Sequence, residues 1–114
     1  MKTTIYHNPR CSTSRKALSI LEEQGEDIRI IEYLKETPTA EDLRALVKKL
    51  GITPEQLVRK KEELYKTTYS GKSYTDDEWI RILIEHPILI ERPIVIKNRK
   101  AVIGRPPELI VDIS

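Results

Sequence analysis

Apolar positions along this chain alternate between short β-branched runs and stripes at helical spacing. Thr3-Thr4-Ile5-Tyr6 reads as a strand, the Asn8-Pro9 pair turns the chain, and Ala17, Leu18, Ile20 and Leu21 define one face of a helix that should end near Gly25. Ile28 to Tyr33 is rich in β-branched residues and reads as a second strand. Parallel pairing of the two strands requires a crossover over one sheet face, nearly always right-handed.

The middle of the chain changes to helical periodicity. Thr39 begins a cap before Leu43, Leu46, Val47 and Leu50, and Gly51 closes that segment. Thr53-Pro54-Glu55-Gln56 combines an N-cap, a proline at the first helical position and a capping-box Gln, predicting a short helix that carries Leu57, Val58 and Arg59. Glu62 to Tyr74 is polar and reads as a loop or a weak helical turn. Thr75-Asp76-Asp77-Glu78 is another capping box, opening a helix through Trp79, Ile80, Ile82, Leu83 and Ile84 that should stop before Pro87. Strands then return. Ile94–Lys97 and Lys100–Ile103 flank Asn98-Arg99, a two-residue hairpin turn, and Pro106-Pro107 opens a last helix packed through Leu109, Ile110 and Ile113. The predicted fold class is α/β: four strands, helices on both faces and a helical insertion between the second and third strands.

At 114 residues the chain is expected to form one domain, 1–114, with one core. Aromatic residues make up only 5% and Phe is absent, so that core must rest on Ile, Leu and Val. A net charge of +2 argues against a general nucleic-acid surface but leaves room for a local anion pocket. No stretch approaches the roughly 18 apolar residues of a membrane span, and the N-terminus lacks a signal peptide's apolar segment. A cytoplasmic, monomeric protein that binds neither membrane nor nucleic acid is expected.

Cys11, the single cysteine, sits in His7-Asn8-Pro9-Arg10-Cys11-Ser12-Thr13-Ser14-Arg15 at or just before a helix N-terminus. Unpaired N–H groups and the positive end of the helix dipole stabilise an anion there, and with Arg10, Arg15 and His7 they should depress the thiol pKa. The other reading is a small buried apolar residue. Ser12 and Thr13 would cap the helix or donate to an anion. Ser14 excludes the Cys-x-x-Cys pair of dithiol redox proteins. The two histidines make no zinc signature with Cys11, and no Gly-rich phosphate loop occurs. A cysteine phosphatase would place Arg where this chain has Ala17.

Four separated motifs resemble the glutaredoxin-coupled arsenate reductase family: Ile5 through Arg15, Leu57-Val58-Arg59-Lys60, His86 through Val95, and Gly104-Arg105-Pro106. The resemblance implies a thioredoxin-like fold with a helical insertion and no bound cofactor. It also implies a Cys11 thiolate that forms an adduct with arsenate or a similar small oxyanion. Arg59, Arg92 and Arg105 match the family's oxyanion-binding arginines, whose planar donor forks suit a tetrahedral anion. Each taken alone would read as a solvated surface charge. His7 matches the family histidine near the nucleophile, in an acid-base or a loop-organising role. Arg92-Pro93 resembles the cis-proline site of thioredoxin folds. With no second cysteine, the family implies glutathione as cosubstrate, then glutaredoxin, with arsenite released. Arg10 and Lys61 depart from the best-known members. Two alternatives share the fold: a glutathione-dependent thiol oxidoreductase without arsenate specificity, and an Spx-type regulator that binds RNA polymerase.

Overall fold

The computed structural model describes residues 3–112. Contacts divide the chain into two compact units, one formed by residues up to Glu36 together with those from Arg92 onward, the other by Thr37–Glu91.

The first unit holds the sheet. Strands β1 (Thr3–Tyr6), β2 (Ile28–Ile31), β3 (Ile94–Lys97) and β4 (Lys100–Ile103) lie in the order β2-β1-β3-β4. β1 pairs in parallel with β2 from Thr3↔Ile28 to Tyr6↔Ile31. Both of the other pairings, β1 with β3 and β3 with β4, are antiparallel. The mixed four-stranded sheet is the expected one. β2 is shorter than the apolar run suggests, because the chain turns at Glu32, whose carbonyl accepts from Lys35 and Glu36. At the β3–β4 turn Asn98 takes a positive φ of 58°, which Asn tolerates better than most residues.

Helix α1 (Ser12–Glu23) connects β1 to β2. Its Ala17 and Leu21 pack with Ile5, Val95 and Ile110, while Leu18, Ile20, Ile28 and Val102 close the margin. Burying each larger aliphatic chain contributes about 1.5–3 kcal/mol, so this cluster fixes α1 against the sheet and with it the position of Cys11. The last predicted helix is a 3-10 segment, Pro107–Asp112. Ile110 is buried there as expected, but Leu109 is exposed, because a three-residue repeat brings only one of the two onto the core side. Ile113 lies outside the described residues.

The second unit is the insertion between β2 and β3. Helix α2 (Ala40–Leu50) starts at a Thr39–Asp42 capping box and ends at Gly51, whose φ of 68° is left-handed. Helix α3 (Asp76–Glu85) starts at the Thr75–Glu78 box. Leu43 and Leu46 of α2, and Trp79, Ile80 and Leu83 of α3, are buried, and the two helices pack together. The Thr53–Gln56 capping box is present, but its helix is a 3-10 turn ending at Leu57. Val58 and Arg59 are therefore not helical: Val58 bridges antiparallel to Ile90, and the Arg59 N–H donates to the Leu89 carbonyl at 2.7 Å. The polar stretch expected as a loop or a weak helical turn contains a π-helical turn, Tyr65–Tyr69, whose tyrosines contact the Trp79 ring.

Candidate active site

The turn between β1 and α1 is built by Asn8. Its side-chain Oδ1 accepts from the Arg10 N–H at 3.0 Å, and its carbonyl accepts from the Cys11 N–H at 3.0 Å. These bonds deliver Cys11 in an extended conformation, φ −95° and ψ 120°, as the N-cap residue of α1. Ser12 and Thr13 are thus not caps but occupy the first turn. The Cys11 side chain is partly accessible, as a nucleophile requires.

Burial raises the Cys11 pKa, but four influences outweigh it and the net shift is downward. They are the Ser14 backbone N–H, a hydrogen bond from the Arg92 side chain, and the charges of Arg105 and Arg92. Cys11 is the N-cap residue but makes no side-chain capping hydrogen bond, so the Ser14 N–H acts on the sulfur by favouring its anionic form. Arg105 Nη2 lies 3.4 Å from Sγ. The depression expected from the sequence is present, but its cations are different. Arg15 donates to the Pro9 carbonyl at 2.9 Å, and neither it nor Arg10 is among the groups that shift the thiol.

His7 is buried. Desolvation lowers its pKa, with the Glu32 charge opposing and the Arg15 charge assisting, so the ring is neutral at pH 7 and adds no positive charge beside the sulfur. Its Nδ1 is 2.6 Å from Ser14 Oγ, which also accepts from the Asn8 N–H at 3.1 Å. No hydrogen bond joins His7 to the sulfur among the described residues. Ser14, fully buried, therefore does two things: its hydroxyl ties His7 to the loop, and its N–H faces Sγ. Sequence reasoning treated Ser14 only as a missing cysteine. The signal that could have found it was its place three residues after the capping residue.

The two arginines reach Cys11 from the other end of the unit. Arg92 precedes Pro93 through a cis peptide bond, the isomer suggested by the resemblance, and Arg105-Pro106 is also cis. Arg105 Nε donates to the Arg92 carbonyl at 2.6 Å, so one arginine holds the backbone of the other. Gly104 makes this approach feasible. Its N–H donates to the Pro93 carbonyl at 2.8 Å, and an added Cβ would meet Pro93 Cγ at 3.0 Å and Ile110 Cγ2 at 3.1 Å.

Arg59 belongs to the second unit. Its guanidinium is ion-paired to Glu62 at 3.4 Å and Glu91 at 3.2 Å. The first unit thus brings Cys11, Arg92 and Arg105 together, with His7 beside them through Ser14. Two guanidinium groups against one anionic sulfur suit a second, oxygen-rich anion approaching that sulfur. No group of three or more His, Cys, Asp or Glu side chains able to hold a metal ion occurs among the described residues.

Comparison with known proteins agrees with this geometry. A solved structure of arsenate reductase from Vibrio cholerae superposes with a TM-score of 0.94 at 46% identity, covering 100% of this chain and 98% of that one. The arsenate reductase of Haemophilus influenzae is 44% identical over 115 residues, 99% of each chain. The protein YfgD of Escherichia coli K12 is 44% identical over 111 residues, 96% of this chain and 93% of its own. The sequence model of the ArsC family matches residues 6–113, and the chain, with its thioredoxin-like fold and its four motifs in family order, belongs to that family.

Proposed function

We propose that this protein reduces arsenate to arsenite, with Cys11 as the nucleophile and glutathione and glutaredoxin as electron donors. The observation that carries this reading is the contact of Arg92 and Arg105 with a thiol of depressed pKa. The Cys11 thiolate attacks As(V), an arsenate oxygen leaves as water, and an S–As bond forms. Arg92 and Arg105 neutralise the arsenate oxygens while two anions are brought together. Glutathione thiolate then forms an S–S bond with the Cys11 sulfur. The S–As bond breaks with its electron pair on arsenic, giving As(III) and a Cys11–glutathione disulfide. Glutaredoxin removes the glutathione and regenerates the thiolate. An outside thiol is needed because the chain has one cysteine. Arg59 enters this reading through its motif, and its role is read from kinetics: Arg59→Lys should raise the KM for arsenate. Abundant glutathione places the activity in a reducing compartment, the cytoplasm. Among the described residues no helix is long and apolar enough to cross a membrane.

The test is an NADPH-coupled assay with glutathione, glutathione reductase, glutaredoxin and arsenate. Arsenate-dependent NADPH oxidation that disappears in Cys11→Ser is expected. No oxidation by the parent, or undiminished oxidation by the variant, would overturn the assignment.

A further inference from the structure

Beside the nucleophile's turn lies a second feature that the arginine pair does not use. A cavity of about 270 Å³ is lined by His7, Asn8, Pro9, Arg10, Glu32, Leu34 and Lys35. Its size is near the roughly 300 Å³ at which small-ligand sites begin. Three of these residues belong to the turn that ends at Cys11, and Arg10 is its immediate neighbour, with Cα atoms about 3.8 Å apart.

The charges in this cavity are unusually uncommitted. Arg10 is exposed and, among the described residues, makes no ion pair. Lys35 meets Glu32 at 3.7 Å, an exposed i,i+3 pair with side-chain exposures of 80% and 38%. Such a pair contributes little to stability and exchanges readily for ligand contacts. Leu34 is 41% exposed, an apolar contact between the charged groups. The cavity therefore offers two cations, one carboxylate and an apolar middle.

Glutathione carries the complementary set: a carboxylate at each end, an ammonium at one end, and its thiol on the central residue. We propose that this cavity is the glutathione subsite, with Arg10 and Lys35 taking the two carboxylates and Glu32 the ammonium. This inference rests on the reading above in which glutathione discharges Cys11. An extended tripeptide spans about 10 Å, enough to bridge the cavity while its central thiol faces the neighbouring Cys11. The subsite would select the thiol donor, leaving Arg92 and Arg105 to the oxyanion.

The test needs no arsenate. The Cys11 thiolate attacks one sulfur of glutathione disulfide, forming a Cys11–glutathione disulfide and releasing glutathione thiolate. The same attack on uncharged 2-hydroxyethyl disulfide reports nucleophile strength alone. The ratio of the two second-order rate constants cancels any change in the Cys11 pKa. Removing both cations with Arg10→Gln/Lys35→Gln should lower that ratio about tenfold, as expected for two partly screened charge pairs. Glu32→Gln should lower it less, and the parent ratio should fall as NaCl is added. An unchanged ratio in the double variant, or a parent that reacts with neither disulfide, would overturn the subsite. Failure of the arsenate assay with the ratio behaving as predicted would instead count against arsenate alone.

Discussion

Charge on the Cys11 sulfur is maintained against its own desolvation, so its reactivity depends on a few named donors. The midpoint of its alkylation rate against pH should fall below the roughly 8.5 of free cysteine. Arg92→Lys and Arg105→Lys should each raise it, since a lysine keeps the charge but not the paired donors. Both should lower kcat/KM for arsenate by about 10²-fold, the range found when one oxyanion donor is lost, with little change in unfolding midpoint. His7 gives a separate pH effect. Its folded pKa lies below the unfolded value, so stability is complete above about pH 6.5 and declines as pH falls through the lowered folded value. A urea titration at pH 7 and pH 5 should show this decline in the parent and less of it in His7→Asn. Cys11 was legible in the sequence because strand, turn and helix signals flank it closely. Its partners were not legible by periodicity: Arg105 is 94 positions away, and only the motif resemblance named it.

At the scale of elements, local signals were good where backbone chemistry is local. The three Thr-led capping boxes and the left-handed Gly51 lie where their residue types require. Length and helix type were less legible, because β2 stops where its neighbour's register stops and Leu57 passes directly into a bridge with the segment near Ile90. The tightest element is the approach of Gly104 to Pro93 and Ile110. Gly104→Ala should destabilise by about 1–3 kcal/mol through overpacking, and should lower arsenate turnover further because Arg105 follows directly. Chemical denaturation and kcat/KM measured together would check this; a stable variant with normal turnover would contradict it. Thr75→Ala should cost about 1 kcal/mol and leave turnover of the folded enzyme unchanged, because its cap serves α3.

For the whole molecule, a formal charge of +2 is too small for long-range attraction of an anion. In the proposed reaction, selection comes from the short-range donors of Arg92 and Arg105. Raising NaCl from 50 to 200 mM should therefore change kcat/KM for arsenate by no more than about threefold, given a Debye length near 10 Å. Sulfate, a tetrahedral oxyanion, should compete and raise the arsenate KM without altering kcat. Steady-state curves at matched ionic strength would separate the two effects. The ordering of the sheet around an insertion was readable from the switch of apolar period and its return. The weak helical turn between Glu62 and Tyr74 was one of two readings, but its π form was not legible, since its residues carry no helical apolar stripe and are arranged by aromatic contacts with Trp79.

A helix whose N-cap residue is the nucleophilic cysteine carries a built-in reporter of chemical state. The Ser14 amide faces Sγ while the sulfur is anionic. Arsenylation or attachment of glutathione removes that charge, and with it the attraction for the amide. Hydrogen–deuterium exchange at the start of α1 should therefore quicken on modification and slow again when the thiolate is regenerated, so that the amide spectrum of a resting or turning-over sample reveals which covalent form predominates.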